Sequence, residues 1–136
     1  AIAFDTESVG LKAPSGAGPL TFSHTVTGSD TVLFVGCFAT AGDVVTGVTY
    51  NSVSLTQVSK VTSGGETTYL HYLIAPTTGA NNISVSWTGN SVVRAHGASY
   101  TGAKQSGVPD ASATNNNTST TIATTLTTIA TTVGLL

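Results

Sequence analysis

Three histidines, six carboxylates and one cysteine are the residues of this chain that could carry bond-making chemistry. Glycoside hydrolysis needs two carboxylates roughly 5–10 Å apart in a cleft. The two glutamates, Glu7 and Glu66, sit near the N-terminus and beside a turn. Asp30, Asp43 and Asp110 each follow Gly, Ser or Pro in a turn-forming context, where a carboxylate caps backbone amides. Serines are plentiful, but no Gly-x-Ser-x-Gly elbow presents one as a nucleophile. His24, His71 and His96 fall on three separate strands without local metal-ligand spacing. Cys37 lies inside the apolar run Val32–Phe38, the setting of a buried small hydrophobe rather than a reactive thiol. The expectation is a chain with no catalytic residues, no metal and no cofactor.

Sugar recognition is the other chemistry to weigh. It needs an aromatic ring presented beside Asn, Asp or Gln. Trp87, the sole Trp, shares a strand face with Ile83 and Val85 and is expected in the core. Tyr50 next to Asn51, at a hairpin end, is the better-exposed candidate. Tyr69, His71 and Tyr72 form a second aromatic group. These five residues are the candidate ligand site. Asn-x-Ser/Thr triplets begin at Asn82, Asn116 and Asn117 and carry meaning only in a glycosylating pathway.

The elements that would position these residues are strands. Gly and Pro punctuate the chain at short intervals and β-branched residues fill the gaps, an all-β signal. The pattern predicts strands at Ile2–Thr6, Leu20–Val26, Thr31–Ala39, Val44–Asn51, Val53–Val61, Thr67–Ala75, Asn82–Thr88 and Val92–Thr101, with more in Ser119–Leu136. In that last stretch Ile122, Leu126, Ile129 and Val133 also have helical spacing, but the intervening threonines favour a pleated sheet. The alternation Ile83-Ser84-Val85-Ser86-Trp87 places one face inward. Thr31–Phe38 and Tyr69–Ile74 are apolar on both faces. They predict central strands covered by the core on one side and by a loop, a neighbouring sheet or another subunit on the other. Tyr50-Asn51-Ser52-Val53 and Ser63-Gly64-Gly65-Glu66 read as hairpin turns. Arg94 and His96 share a face with Val92, Ala98 and Tyr100, a face expected to be partly solvated or to lie at a subunit contact.

The chain has 136 residues, the size of a single domain, with a flexible loop near 103–118. Charged residues are 7% of it and the net charge is −2, so no basic patch for nucleic acid can form. No stretch reaches the roughly 18 apolar residues of a membrane span. The opening Ala-Ile-Ala-Phe-Asp, in a chain without Met, fits removal of an initiator Met, with earlier cleavage of a leader as the other history.

Three segments carry a resemblance. Thr46-Gly47-Val48-Thr49-Tyr50-Asn51-Ser52-Val53-Ser54-Leu55-Thr56-Gln57-Val58 resembles a TGVTYNGVxMTxV pattern. Tyr72–Val85 resembles YxLxxPxTGxNxVxV, and Ala98–Gln105 resembles SYTGVxQ. Together they resemble β-sandwich modules of tailed-phage structural proteins and bacterial surface proteins. The resemblance implies an antiparallel β-sandwich, jelly-roll or immunoglobulin-like, acting as a structural or adhesive module. The function expected is that of a capsid decoration or appendage protein, located on the virion, whose partners are copies of itself and other virion proteins. The alternatives are a lectin-like module that binds glycans and an extracellular or cell-surface filament subunit that donates a strand to its neighbour.

Overall fold

The computed structural model describes residues 1–109 and 111–114. Among the described residues nine strands follow one another: β1 (Ala3–Gly16), β2 (Leu20–Val26), β3 (Val32–Ala39), β4 (Val45–Tyr50), β5 (Val53–Ser54), β6 (Thr56–Ser63), β7 (Glu66–Ile74), β8 (Gly79–Trp87) and β9 (Ser91–Thr101). They form a five-stranded sheet, order β1-β9-β3-β7-β6, and a four-stranded sheet, order β2-β8-β4-β5. Each pairing among these strands is antiparallel.

The pairing is nested. The first strand lies beside the ninth, the second beside the eighth and the third beside the seventh. A long hairpin folded over on itself gives this order, and it makes the sandwich a jelly roll. An immunoglobulin-like arrangement would set the first two strands side by side in one sheet; here β1 and β2 lie in different sheets.

Two expectations need correction. The opening strand runs to Gly16, well past Thr6. Its second half contains Gly10, Pro14 and Gly16, which read as loop residues, yet an edge strand tolerates them because half of its backbone groups need no partner in the ladder. Register shifts between Phe4 and Thr6 and between Lys12 and Gly16 absorb the irregular residues. The run Val53–Val61 is two strands. It changes sheets at Leu55, whose side chain is buried and whose amide bonds to the Val48 carbonyl at 2.9 Å. Crossing at a corner lets one apolar run serve both sheets. The further strands expected in Ser119–Leu136, the turn at Asp110 and the triplets at Asn116 and Asn117 lie outside the described residues, as does the part of the expected loop beyond Thr114.

The core follows from alternation. Leu33, Val35, Cys37 and Ala39 of β3 point inward against Ile83, Val85 and Trp87 of β8. The indole Nε1 of Trp87 donates to the Gly16 carbonyl at 3.0 Å, so its one polar atom is satisfied at the end of β1. Both hairpin turns form where the sequence places them. Asn51 and Ser52 take φ of 47° and 64°, and Gly64 and Gly65 take 58° and 85°, the left-handed pair that a two-residue turn between twisted strands demands.

Burial pushes the Cys37 thiol up to about 12. The thiolate is the nucleophile, so the folded protein holds this sulfur inert. A thiol-directed alkylating reagent at neutral pH is expected to label Cys37 only after denaturant is added. Rapid labelling of the native chain would contradict the burial.

Candidate association surface

The outer face of the five-stranded sheet is built by the second half of each alternation. Register aligns it in rows: Phe4 with Tyr100 and Val32; Glu7 with Ala98, Phe34 and Tyr72; Val9 with His96, Gly36 and Leu70; Leu11 with Arg94, Phe38 and Thr68. This is why β3 and β7 are apolar on both faces.

One end of this face is covered by the chain itself. After β9, the amides of Gly102 and Ala103 bond to the carbonyls of Ser29 and Asp30. The segment then crosses the sheet, where Tyr72 donates its hydroxyl to the Val108 carbonyl at 2.9 Å and Gln105 donates to the Thr31 carbonyl. Phe34, Tyr100 and Phe4 stack edge to face beside it. A cleft of about 200 Å³ lies between this segment and the sheet, walled by Phe34, Leu70, Ile74, Val108 and Pro109.

The other end is open. Val9, Leu11, Phe38, Arg94 and His96 rim a shallow groove of about 590 Å³ with Gly36 in its floor. A methyl group at Gly36 would meet nothing within 4 Å. Among the described residues five large hydrophobic side chains are exposed, and three of them belong to β1: Phe4 at 58%, Val9 at 73% and Leu11 at 55%. All three sit on this face, on a strand whose outer backbone edge has no neighbouring strand among the described residues. Glu7 and His96 pair at 3.1 Å at its border. The Arg94 guanidinium has no hydrogen-bond or ion-pair partner among the described residues, and it stands across from Leu11.

The five candidate ligand residues do not come together. Tyr50 is fully buried. Its hydroxyl lies 3.0–3.3 Å from the carbonyls of His24, Thr77 and Gly79, which share its one proton. The sequence places it next to an exposed turn, but its own alternation points it inward. Asn51 is exposed in that turn. Tyr69 and His71 face the sandwich interior; the Tyr69 hydroxyl donates to Asp43 at 2.9 Å and accepts the Val45 amide at 3.2 Å. Tyr72, one position on, faces the opposite side of the sheet. These residues therefore build no shared aromatic platform. Among the described residues no group of three His, Cys, Asp or Glu side chains could hold a metal ion.

Sequence reasoning missed one cluster. His24 lies 2% exposed between the sheets. Its Nδ1 is 2.7 Å from the Ser8 hydroxyl and its Nε2 is 3.0 Å from the Ser99 hydroxyl. Ser99 donates its only proton to Asp5 at 2.8 Å. Ser99 must then accept from His24, which fixes the proton on Nε2 and makes Nδ1 the acceptor of Ser8. Asp5 also takes the amide and hydroxyl protons of Thr27. A side chain at Gly97 would leave no room: its Cβ would stand 2.6 Å from Ile83 Cδ1 and 3.3 Å from His24 Nδ1. The signal was the phase of Leu20, Phe22, His24 and Val26, which puts an imidazole on the inward side and so demands partners. The carboxylate reaches the ring only through Ser99, and neither cleft of the outer face is lined by Ser8 or His24.

Burial holds His24 below its ordinary value, with Asp5 opposing and His96 reinforcing the shift. Burial does the same to His71, whose Nδ1 has no hydrogen-bond partner among the described residues. Burial alone would raise Asp5, but hydrogen bonds from Thr27 and Ser99 keep it low. For the two histidines the unfolded chain binds protons more readily than the folded one. Their contribution to stability is complete above about pH 6.5 and is lost as pH falls from there toward the lowered folded values. The urea midpoint is expected to fall between about pH 7.5 and pH 5.5. A midpoint that holds or rises over that interval would contradict burial of neutral imidazoles.

No family model, no curated protein and no solved structure matches this chain.

Proposed function

We propose that the chain is a non-catalytic structural module that works by associating with copies of itself through the β1 edge of its five-stranded sheet and the apolar outer face beside that edge, as a decoration or appendage protein of a virus particle. The observation that carries the self-association is the concentration of Phe4, Val9 and Leu11 on one edge strand beside an open apolar groove. Large apolar residues exposed together, unlike scattered single ones, mark contact surfaces. An unpaired strand edge adds a row of free amides and carbonyls ready for a second strand.

Charge supports a second copy as the occupant. In an antiparallel pairing of β1 with its own copy about a two-fold axis at Val9, Glu7 of one protomer lies level with Leu11 of the other. The Arg94 of that row is then one strand further on, within reach of its long side chain. The contact repeats twice by symmetry. The virion setting rests on the resemblance of three segments, Thr46–Val58, Tyr72–Val85 and Ala98–Gln105, to β-sandwich modules of tailed-phage structural proteins and bacterial surface proteins. The N-terminal strand is already paired within its own sheet, so a filament built by donating it would first have to undo that pairing.

Size-exclusion chromatography with light scattering across a concentration series tests the proposal. A discrete oligomer that dissociates on dilution is expected. A monomer at every concentration, with no affinity for virus particles, would overturn it.

A further inference from the structure

Like the other edge strands, β1 is joined by its backbone ladder to one neighbour among the described strands, β9. Its inward positions Ser8, Gly10 and Lys12 offer little apolar surface, whereas β2, the edge strand that faces it, buries Leu20 and Val26. The first half of β1 is tied to the facing sheet by polar side chains. Ser8 bonds to His24 of β2, and Asp5 bonds to Thr27 just beyond β2. At the far end the Trp87–Gly16 bond makes a separate anchor.

Few charged groups face His24. From β1 there is Asp5, one serine removed from the ring; Glu7 points to the other side of the sheet. From β9, Gly97 and Ser99 are neutral, and His96 is on the outer face. From β4 comes Tyr50, whose ring stands edge-on at 6.2 Å and whose hydroxyl meets the His24 backbone carbonyl. From β8, Asn81 and Ile83 are uncharged.

We propose that His24 is an acid-sensitive latch for β1, closed while its ring is neutral and opened when the ring takes up a second proton. With Nε2–H committed to Ser99, the only free lone pair is on Nδ1, and the Ser8 proton already points at it. A proton arriving from solvent occupies that position, so the Ser8 hydroxyl must reverse and its own proton loses its partner. The ring then carries a charge in a buried site with no carboxylate in direct contact among the described residues. Water entry relieves this beside β1, whose inward positions Ser8 and Gly10 carry no apolar side chain of their own, so that the apolar contact given up includes the Phe22 ring packed on Gly10. Residues 3–11 then lift from the facing sheet and their ladder to β9 frays with them, while Gly16 stays anchored by Trp87. The latch does not depend on self-association; it would act in a monomer.

Hydrogen exchange of the full chain at about pH 7.5 and about pH 5.5, corrected for intrinsic rates, tests it. Peptides covering residues 3–11 are expected to lose protection while peptides of β3 keep theirs. His24→Gln is expected to abolish the difference, and His71→Gln to leave it in place. Parallel loss in β1 and β3, or a β1 response that survives His24→Gln, would overturn the latch. Should His24→Gln not fold, the wild-type chain still decides. The NMR titration of the His24 ring and the exchange of β1 amides must share a midpoint, and separate midpoints would reject the proposal.

Discussion

A chain carrying Leu11→Asp is expected to fold normally and to lose self-association by about a thousandfold. In the isolated chain Leu11 is more than half exposed on an edge strand, a site where substitution changes stability by roughly half a kcal/mol or less. The new carboxylate stands across from Arg94, and such an opposite-charge pair between neighbouring strands adds a few tenths of a kcal/mol to the monomer. The assembled state loses twice. Burying the remaining surface of a leucine of this exposure is worth about 1 kcal/mol, and placing a charge in the contact costs at least as much again. The two-fold axis doubles both, to about 4 kcal/mol, or three decades in the dissociation constant. Light scattering and sedimentation on the variant and the parent chain check it. If Leu11→Asp assembles as the parent does, the groove beside β1 is not the contact, whatever the oligomeric state.

The contrast between what the sequence disclosed and what it concealed follows from the range of each interaction. Alternation is local. Ile83, Val85 and Trp87 could be assigned inward, and Arg94 and His96 assigned to one sheet face, because period two acts over a few residues. The turns at Asn51 and at Gly64-Gly65 were readable for the same reason. The nested order of strands was not, because pairing of Glu7 with Ala98 closes a loop of some ninety residues that no short window contains. Edge strands are the least legible elements: β1 keeps its pairing through Gly10 and regains it at Gly16 beyond Pro14, residues that the sequence punctuates as loop. The His24 cluster joins residues 5, 8, 24, 27 and 99, and only the inward phase of His24 announced it. The apolar outer face was visible as strands apolar on both sides. Which end the chain itself would cover depended on where the segment after β9 turns, and that turn is set by bonds from Gly102 and Ala103 to Ser29 and Asp30.

Tyr50 separates the structural and the sugar-binding readings of the same residue. Tyr50→Ala is expected to lower stability by about 3–5 kcal/mol, since it empties the space of a fully buried aromatic ring between the sheets. For a domain of this size that is roughly 10–20 °C in Tm. Tyr50→Phe keeps the ring and deletes the hydroxyl that ties the β4 end to the carbonyls of His24, Thr77 and Gly79. It is expected to cost about 1–3 kcal/mol, the penalty of leaving buried acceptors without their donor. The two variants thus order as ring first, hydroxyl second. Thermal unfolding of both, beside a glycan-binding measurement on the parent chain, gives opposite outcomes for the two readings. A tyrosine that served a sugar would, on truncation, erase binding and leave Tm nearly unchanged. The burial of Tyr50 requires a large fall in Tm on truncation, because a ring enclosed by Val48, Ile83 and His24 has no face left to offer a ligand.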